Sequence, residues 1–153
     1  MNYWLMKSEP DEFSIDDLQL SHHQKTPWQG IRNYQARNFL RDSVKQNDRV
    51  FFYHSSCKVP AIVGLVEVSQ AATVDTSAFD VTSVYFDKKS DIANPKWIQV
   101  ELHFIEKFNQ PITLKQLKAD PQLTNMVLVA KGARLSVQPV TAEEFEHIMS
   151  LSR

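Results

Sequence analysis

The residues of this sequence with the clearest chemical potential are polar side chains that stand beside aromatic ones in short segments. These segments are WLMKSEP at 4–10, WQGIRNYQARN at 28–38, FFYHSSC at 51–57 and KGARLSVQP at 131–139. Binding groups usually lie at strand ends and loop–helix junctions, because the scaffold holds them in place while their tips stay open. The segments therefore predict a recognition site assembled from distant parts of the chain.

The residue types are suited to binding a nucleobase that is flipped out of the helical stack. Such a base needs aromatic or apolar walls, polar groups for its edge and cationic groups for the neighbouring phosphates. A glutamate or an asparagine is suited to an exocyclic amine of the base. The predicted ligand-binding residues are Lys7, Ser8, Glu9, Trp28, Asn33, Tyr34, Tyr53, His54, Ser55 and Ser136. The predicted phosphate-binding residues are Arg32, Arg37, Arg41 and Arg134.

Purely structural roles compete with these assignments. The stripe of Arg37, Arg41 and Lys45 is by default a solvated helix face. Trp4 alternates with Met6 along a strand, which favours a place in the core. The remaining alternatives are that His54 is a hydrogen-bonded histidine at a strand end, and that Glu9 pairs with a neighbouring cation.

An enzyme is the rival class, because His54, Ser55, Ser56 and Cys57 stand together. Consecutive residues of a strand point to opposite faces, so His54 and Ser55 are poorly placed to share a proton. The sequence has no G-x-S-x-G, P-loop, G-x-G-x-x-G or H-E-x-x-H motif. General acid–base cleavage of RNA by Lys7, Glu9 and Tyr53 or His54 remains open as an alternative.

Composition and charge exclude other classes. The chain has 153 residues, of which 42% are hydrophobic and 23% are charged, as in an ordinary globular domain. We expect one domain over residues 1–153, and the N-terminus does not resemble a signal peptide, so we expect a cytoplasmic protein, or a nuclear one in a eukaryote. The single cysteine excludes a multi-cysteine zinc site, and we predict neither a metal nor a cofactor.

The charge is unevenly distributed. The net charge of −1 rules out a molecule that grips nucleic acid over its whole surface. Residues 25–58, however, carry seven basic and two acidic residues. This block predicts a local basic patch.

The elements that must position these residues are short strands and helices. Runs rich in β-branched and aromatic residues predict strands at Tyr3–Lys7, Arg49–His54, Ala61–Ser69, Trp97–Phe108 and Leu135–Gln138. Capping residues predict helices after Ser14, Thr113 and Thr141, and periodicity predicts a longer helix over Tyr34–Gln46. The pattern indicates an α+β domain built on a curved mixed sheet or small barrel, flanked by short helices.

The ordered segments resemble the EVE domain family of the PUA-like fold. The similarity rests on YWLMKSEPDEFSIDDL, WQGIRNYQARNFLR, VFFYHSSC, IVGLVEV and RLSVQPV, in that order. Two positions depart from the family pattern: Ala61 stands where the family generally has glycine, and Ala133 where asparagine often precedes Arg134. The resemblance implies a small PUA-like pseudo-barrel with a concave pocket for a modified base.

Residues and resemblance together predict a non-catalytic module that binds nucleic acid carrying a modified base. They leave open whether the nucleic acid is DNA or RNA and which modification is bound. The alternatives are an RNA-processing or nucleotide-modifying enzyme that uses the same pocket, and a protein-interaction module without a ligand pocket. We expect no membrane partner and favour a monomer.

Overall fold

The computed structural model describes residues 1–153, which form six strands and four α-helices. The strands are β1 (Tyr3–Ser8), β2 (Lys25–Trp28), β3 (Arg49–His54), β4 (Ala61–Val74), β5 (Ile98–Thr113) and β6 (Val137–Val140). The helices are α1 (Ile15–Leu20), α2 (Tyr34–Asp42), α3 (Leu114–Ala119) and α4 (Ala142–Leu151). None of these helices is long and apolar enough to cross a membrane.

All six strands belong to one mixed sheet in the order β2-β5-β4-β3-β1-β6. Strands β1 and β3 pair in parallel, whereas the other neighbours pair antiparallel. The pairing of β4 with β5 shifts register at four places, and such bulges bend a sheet. The predicted curved mixed sheet is confirmed, and it stays open, with β2 and β6 at its edges.

The apolar runs of β1 and β3 reflect burial on both faces of the sheet. Trp4 and Met6 lie on one face, in a hydrophobic cluster with Phe52. Leu5 lies on the other face, in a cluster with Phe51. Helices α1 and α2 contribute buried residues to the first cluster, and α3 and α4 to the second.

The predicted helix starts after Ser14, Thr113 and Thr141 are confirmed. Each of these side chains accepts a hydrogen bond from the backbone N–H three residues ahead, and the side chain there bonds back to the cap. These reciprocal bonds satisfy donors that a helix start otherwise leaves unpaired.

Helix α2 ends at Asp42, four residues before the predicted end at Gln46. Asp48 is buried and accepts from the indole Nε1–H of Trp4 (3.0 Å) and from the backbone N–H of Lys45 (2.9 Å). These bonds hold residues 45–48 in a turn, so they cannot continue the helix. Leu40 and Val44 are buried in the core.

Sequence reasoning missed β2, which pairs with β5 at one edge of the sheet. The strand is four residues long and contains Pro27, which has no N–H to donate and is tolerated at an edge. The other predicted strands are present, although β4 extends to Val74 and β5 to Thr113.

Candidate functional site

Three of the predicted site serines meet at one end of the sheet because of its topology. Since β1 and β3 are parallel, their C-terminal ends lie at the same edge, and the antiparallel β6 begins there. The backbone N–H of Lys7 donates to the carbonyl of Ser136, and that of Ser55 donates to the carbonyl of Ser8, both at 3.0 Å. Backbone pairing thus brings Ser8, Ser55 and Ser136 together.

These strand ends form one wall of a cavity of about 800 Å³, called here the first cavity. Seven of the predicted site residues line it: Lys7, Ser8, Glu9, Trp28, Ser55, Arg134 and Ser136. The cavity also contains Glu12, so its lining carries carboxylates as well as cations.

Several polar groups of the first cavity have no partner within the protein. The carboxylate of Glu9 forms no ion pair, and the hydroxyls of Ser55 and Ser136 form no hydrogen bond. The hydroxyl of Ser8 differs, because it donates to the carbonyl of Phe13. These three side chains are therefore available to a ligand.

The ammonium of Lys7 lies on the boundary of this cavity. Its Nζ donates weakly to the carbonyl of Ala133 (3.4 Å) and lies 5.9 Å from the ring centroid of Tyr53. Burial lowers the pKa of Lys7, and no carboxylate pairs with it. The cation is thus only partly compensated by the protein.

Tyr85 and the loop around Gly30 form the opposite wall. Gly30 has a φ of +84°, and a Cβ built there would lie 2.4 Å from Cε1 of Tyr85. The ring of Tyr85 therefore rests directly on the glycine backbone. Burial is the main cause of the raised pKa of Tyr85.

A buried carboxylate holds this wall in place. Asp75 is fully buried and accepts from the guanidinium of Arg32 (3.0 Å) and from the backbone N–H of Gly30 (2.9 Å). It also accepts from the backbone N–H of Ser77 (2.9 Å). Arg32 in turn donates to the carbonyl of Tyr85 (2.7 Å), which links the loop of Tyr85 to Asp75. We call Arg32, Asp75, Ser77 and their partners the Asp75 cluster.

Trp28 contributes an apolar wall but belongs mainly to the core. Its side chain is packed edge-on against Phe52 and Phe13, with ring centroids 5.5 and 6.4 Å away. The residue is only 7% exposed. A ligand can therefore contact only a small part of the indole.

Four predicted ligand-binding residues do not line the first cavity. The side-chain oxygen of Asn33 caps α2 by accepting a hydrogen bond from the backbone N–H of Ala36. The ring of Tyr34 stacks on that of Trp97, with the ring centroids 5.0 Å apart. His54 accepts at Nε2 from the backbone N–H of Ile15 (3.1 Å) at the start of α1. Tyr53 faces the opposite side of the sheet and lines a different cavity.

The predicted phosphate-binding arginines also divide. Arg32 belongs to the Asp75 cluster, which corrects the expectation that its guanidinium is free for a phosphate. Arg37 donates to the carbonyl of Lys96 (2.9 Å), and Arg41 forms a paired contact with Asp42. Arg134 is exposed, lines the first cavity and forms neither a hydrogen bond nor an ion pair through its side chain.

Sequence reasoning missed the contribution of Tyr85. The residue lies in a stretch without regular helix or strand between residues 80 and 97, where no periodicity points to a common face. The one available signal was an aromatic residue in a polar loop. Sequence reasoning also missed three other lining residues, Glu12, Phe13 and Gln29. Gln29 lies within the segment 28–38, and the other two follow closely after the segment 4–10.

An open, curved, mixed sheet with a cavity at the ends of β1, β3 and β6 defines a protein of the PUA-like class. The EVE domain family profile matches residues 2–151, and the chain belongs to this family. Thymocyte nuclear protein 1 from Rattus norvegicus is 44% identical over 98% of this chain and 73% of its own length.

Solved structures agree with this membership. A protein from Pseudomonas syringae is 47% identical, with a TM-score of 0.93 over 99% of each chain. The human THYN1 protein in complex with DNA containing 5-methylcytosine is 40% identical, with a TM-score of 0.94 over 100% of this chain and 98% of that one. An ASCH protein from Zymomonas mobilis, 13% identical with a TM-score of 0.61, shares the fold alone.

Proposed function

We propose that this protein is a non-catalytic module that binds DNA and takes one modified base, 5-methylcytosine, into the first cavity. The observation that carries the proposal is the convergence of unpartnered polar groups and aromatic walls in a single cavity of about 800 Å³. The human THYN1 complex with 5-methylcytosine DNA, on a chain of the same fold, supports it.

The lining suits cytosine in particular. The exocyclic amine of cytosine donates hydrogen bonds, and carboxylates are its usual acceptors. Glu9 and Glu12 supply carboxylates in this cavity. Ser55 and Ser136 have hydroxyls that can donate to the ring nitrogen and the carbonyl oxygen of the base.

The methyl group of 5-methylcytosine needs an apolar surface. Phe13, Pro27 and Ile31 line the cavity and offer such a surface, and the ring of Tyr85 adds a face on which a base can stack. Cytosine without the methyl group would leave part of this surface uncovered. Burying one methyl group stabilises a complex by roughly 0.8 kcal/mol, which predicts a preference of about fourfold.

The cations available to phosphate groups lie in one place on the surface, at the first cavity. Arg134 and Lys7 lie at the cavity without carboxylate partners, and the overall charge is −1. Few phosphate contacts predict weak binding of unmodified DNA and a shallow dependence of affinity on salt. We propose that the protein acts where its nucleic acid is, in the cytoplasm or, in a eukaryote, in the nucleus.

Fluorescence anisotropy with short oligonucleotides tests the proposal. A strand with a single 5-methylcytosine should bind several-fold more tightly than the same strand with cytosine. Glu9→Gln should weaken binding of the modified strand, because the amide offers a weaker acceptor than the carboxylate. Glu143→Gln is a matched control on α4, where the glutamate is exposed and remote from the cavity lining.

Equal affinity for both strands in the wild type would overturn the proposal. The same incubations, analysed by mass spectrometry, distinguish binding from catalysis. Intact strands are expected after prolonged incubation. Cleavage or alteration of the base that is lost in Lys7→Ala would instead identify an enzyme.

A further inference from the structure

A second cavity of about 590 Å³ lies beside the first, across the loop at residues 130–134. Its lining includes Lys7, Lys118, Lys131 and Arg134, and it contains no aspartate or glutamate. The first cavity, by contrast, balances its cations with Glu9 and Glu12. The second cavity is therefore uniformly positive.

The cations of the second cavity lack partners within the protein. Lys118, Lys131 and Arg134 form no ion pair and no side-chain hydrogen bond, and Lys7 has only a carbonyl at 3.4 Å. Elsewhere in the chain, Arg49 and Arg153 pair with carboxylates at 2.7 and 2.9 Å. Like charges around one concavity repel each other, and a bound anion relieves that repulsion.

Tyr53 supplies a second, independent indication. It is 3% exposed and lines the second cavity, yet its hydroxyl has no hydrogen-bond partner in the protein. The hydroxyl oxygen itself is not among the buried atoms, so it is open to the cavity and can donate a hydrogen bond to a ligand with acceptor oxygens. Burial is the main cause of the raised pKa of Tyr53, so the hydroxyl remains a donor at neutral pH.

We propose that the second cavity binds a phosphate group of the DNA backbone, next to the nucleotide whose base occupies the first cavity. This inference rests on the proposed function. The two cavities share Lys7, Ala133 and Arg134, so ligand groups in them are neighbours. A nucleic-acid strand carries its phosphates at fixed intervals from its bases and can fill both cavities with one molecule.

Oligonucleotides with one methylphosphonate linkage test the site, because this linkage removes the charge of a single phosphate. The linkage is placed in turn at each position flanking the 5-methylcytosine. For the wild type, one position should weaken binding about tenfold, as expected for the loss of a charge-assisted hydrogen-bond network. The other positions should have small effects.

The double variant Lys118→Ala with Lys131→Ala removes two cations that line only the second cavity. It should bind the fully charged strand more weakly, and the methylphosphonate penalty at the sensitive position should shrink to less than about threefold. Its preference for 5-methylcytosine over cytosine should persist. Lys45→Ala with Lys115→Ala removes the same charge from exposed positions outside both cavities and should retain the full penalty.

Tyr53→Phe provides a second variant that keeps the ring in the core. It should reduce the methylphosphonate penalty at the same linkage, because the variant lacks the hydroxyl that would donate a hydrogen bond to the phosphate.

A methylphosphonate penalty that is equal in the wild type and in both cavity variants would overturn the inference while leaving the base preference intact. Inorganic phosphate could raise the melting temperature while the cavity variants leave the methylphosphonate penalty unchanged. This result would indicate a site for free anions and would also overturn the inference. If the wild type binds the 5-methylcytosine and cytosine strands equally, while the cavity variants still reduce the methylphosphonate penalty, the proposed function is overturned and the phosphate site remains.

Discussion

The two walls of the first cavity are held by different kinds of interaction. The wall of β1, β3 and β6 is held by backbone pairing, in which Ser8, Ser55 and Ser136 contribute main-chain groups and three of the polar side chains at the edge stay unused. The wall around Tyr85 is held by side chains that converge on Asp75. A wall built on the backbone tolerates side-chain changes, whereas a wall built on one buried carboxylate depends on that residue.

Asp75→Ala is the strongest test of this difference. The change leaves the guanidinium of Arg32 without its carboxylate partner and the N–H of Gly30 without its acceptor. We expect the free energy of unfolding to fall by about 3–5 kcal/mol, measured by urea denaturation. Asp42→Ala removes an exposed partner of Arg41 and should change stability little. A similar small loss in both variants would refute the central role of Asp75.

Gly30→Ala tests how tightly Tyr85 is seated. The new Cβ would lie 2.4 Å from the ring, so Tyr85 must move, and the left-handed backbone adds strain. We expect a loss of about 2–4 kcal/mol in stability, together with weaker binding of the modified strand.

Gly132→Ala is the matched control. Gly132 also has a positive φ, of +75°, but nothing lies within 4 Å of its Cβ position. This variant should lose only about 1–2 kcal/mol, from backbone strain. If both variants lose the same amount, the ring of Tyr85 yields readily and is not a fixed wall.

The serines of the strand-end wall should behave in the opposite way. Ser136→Ala and Ser55→Ala keep every main-chain hydrogen bond. The free energy of unfolding, measured by thermal denaturation, should therefore change by less than about 0.5 kcal/mol. Binding of the 5-methylcytosine strand should nevertheless weaken about three- to tenfold for each variant. Unaltered affinity would show that these hydroxyls do not contact the ligand.

The smallest expected effect concerns His54, which is the last residue of β3. Burial lowers the pKa of His54, and its Nε2 accepts from Ile15 only in the neutral form. As the pH falls below about 6.5, the unfolded chain takes up a proton that the folded chain resists, so stability decreases.

His54→Gln keeps an acceptor but does not titrate. Between pH 7 and about 5.5, the wild type should lose more stability than this variant, measured by urea denaturation at each pH. The other histidines are common to both proteins and cancel in the comparison. Parallel pH profiles would show that His54 does not couple folding to protonation.

The contrast between the walls also explains what the sequence could predict. The strand-end wall follows from runs of apolar residues that stop at Lys7-Ser8 and at His54-Ser55, a local pattern that marks both the strand and its end. Capping boxes at Ser14 and Thr141 were equally readable, because the two bonding residues lie three positions apart.

The Tyr85 wall was out of reach because its contacts are not local. Arg32 and Asp75 are 43 positions apart, and nothing in their immediate neighbours distinguishes a buried ion pair from two surface charges. The same reason led the arginines of the basic block to be assigned to phosphates. Asn33 was assigned to base recognition although an asparagine before a helix is a common N-cap, which is the role that it has.

The position of β1 in the sheet has a consequence for the order in which the parts of the cavity can form. Strand β1 lies between β3 and β6, and Trp4 is the partner of both Val50 and Pro139. Half of its pairing therefore waits for nearly the whole chain, and contacts of such long sequence separation form slowly. Ser8 and Ser136, which line the same cavity, come together only in this last step. The chain thus cannot form this cavity until β6 has paired with β1.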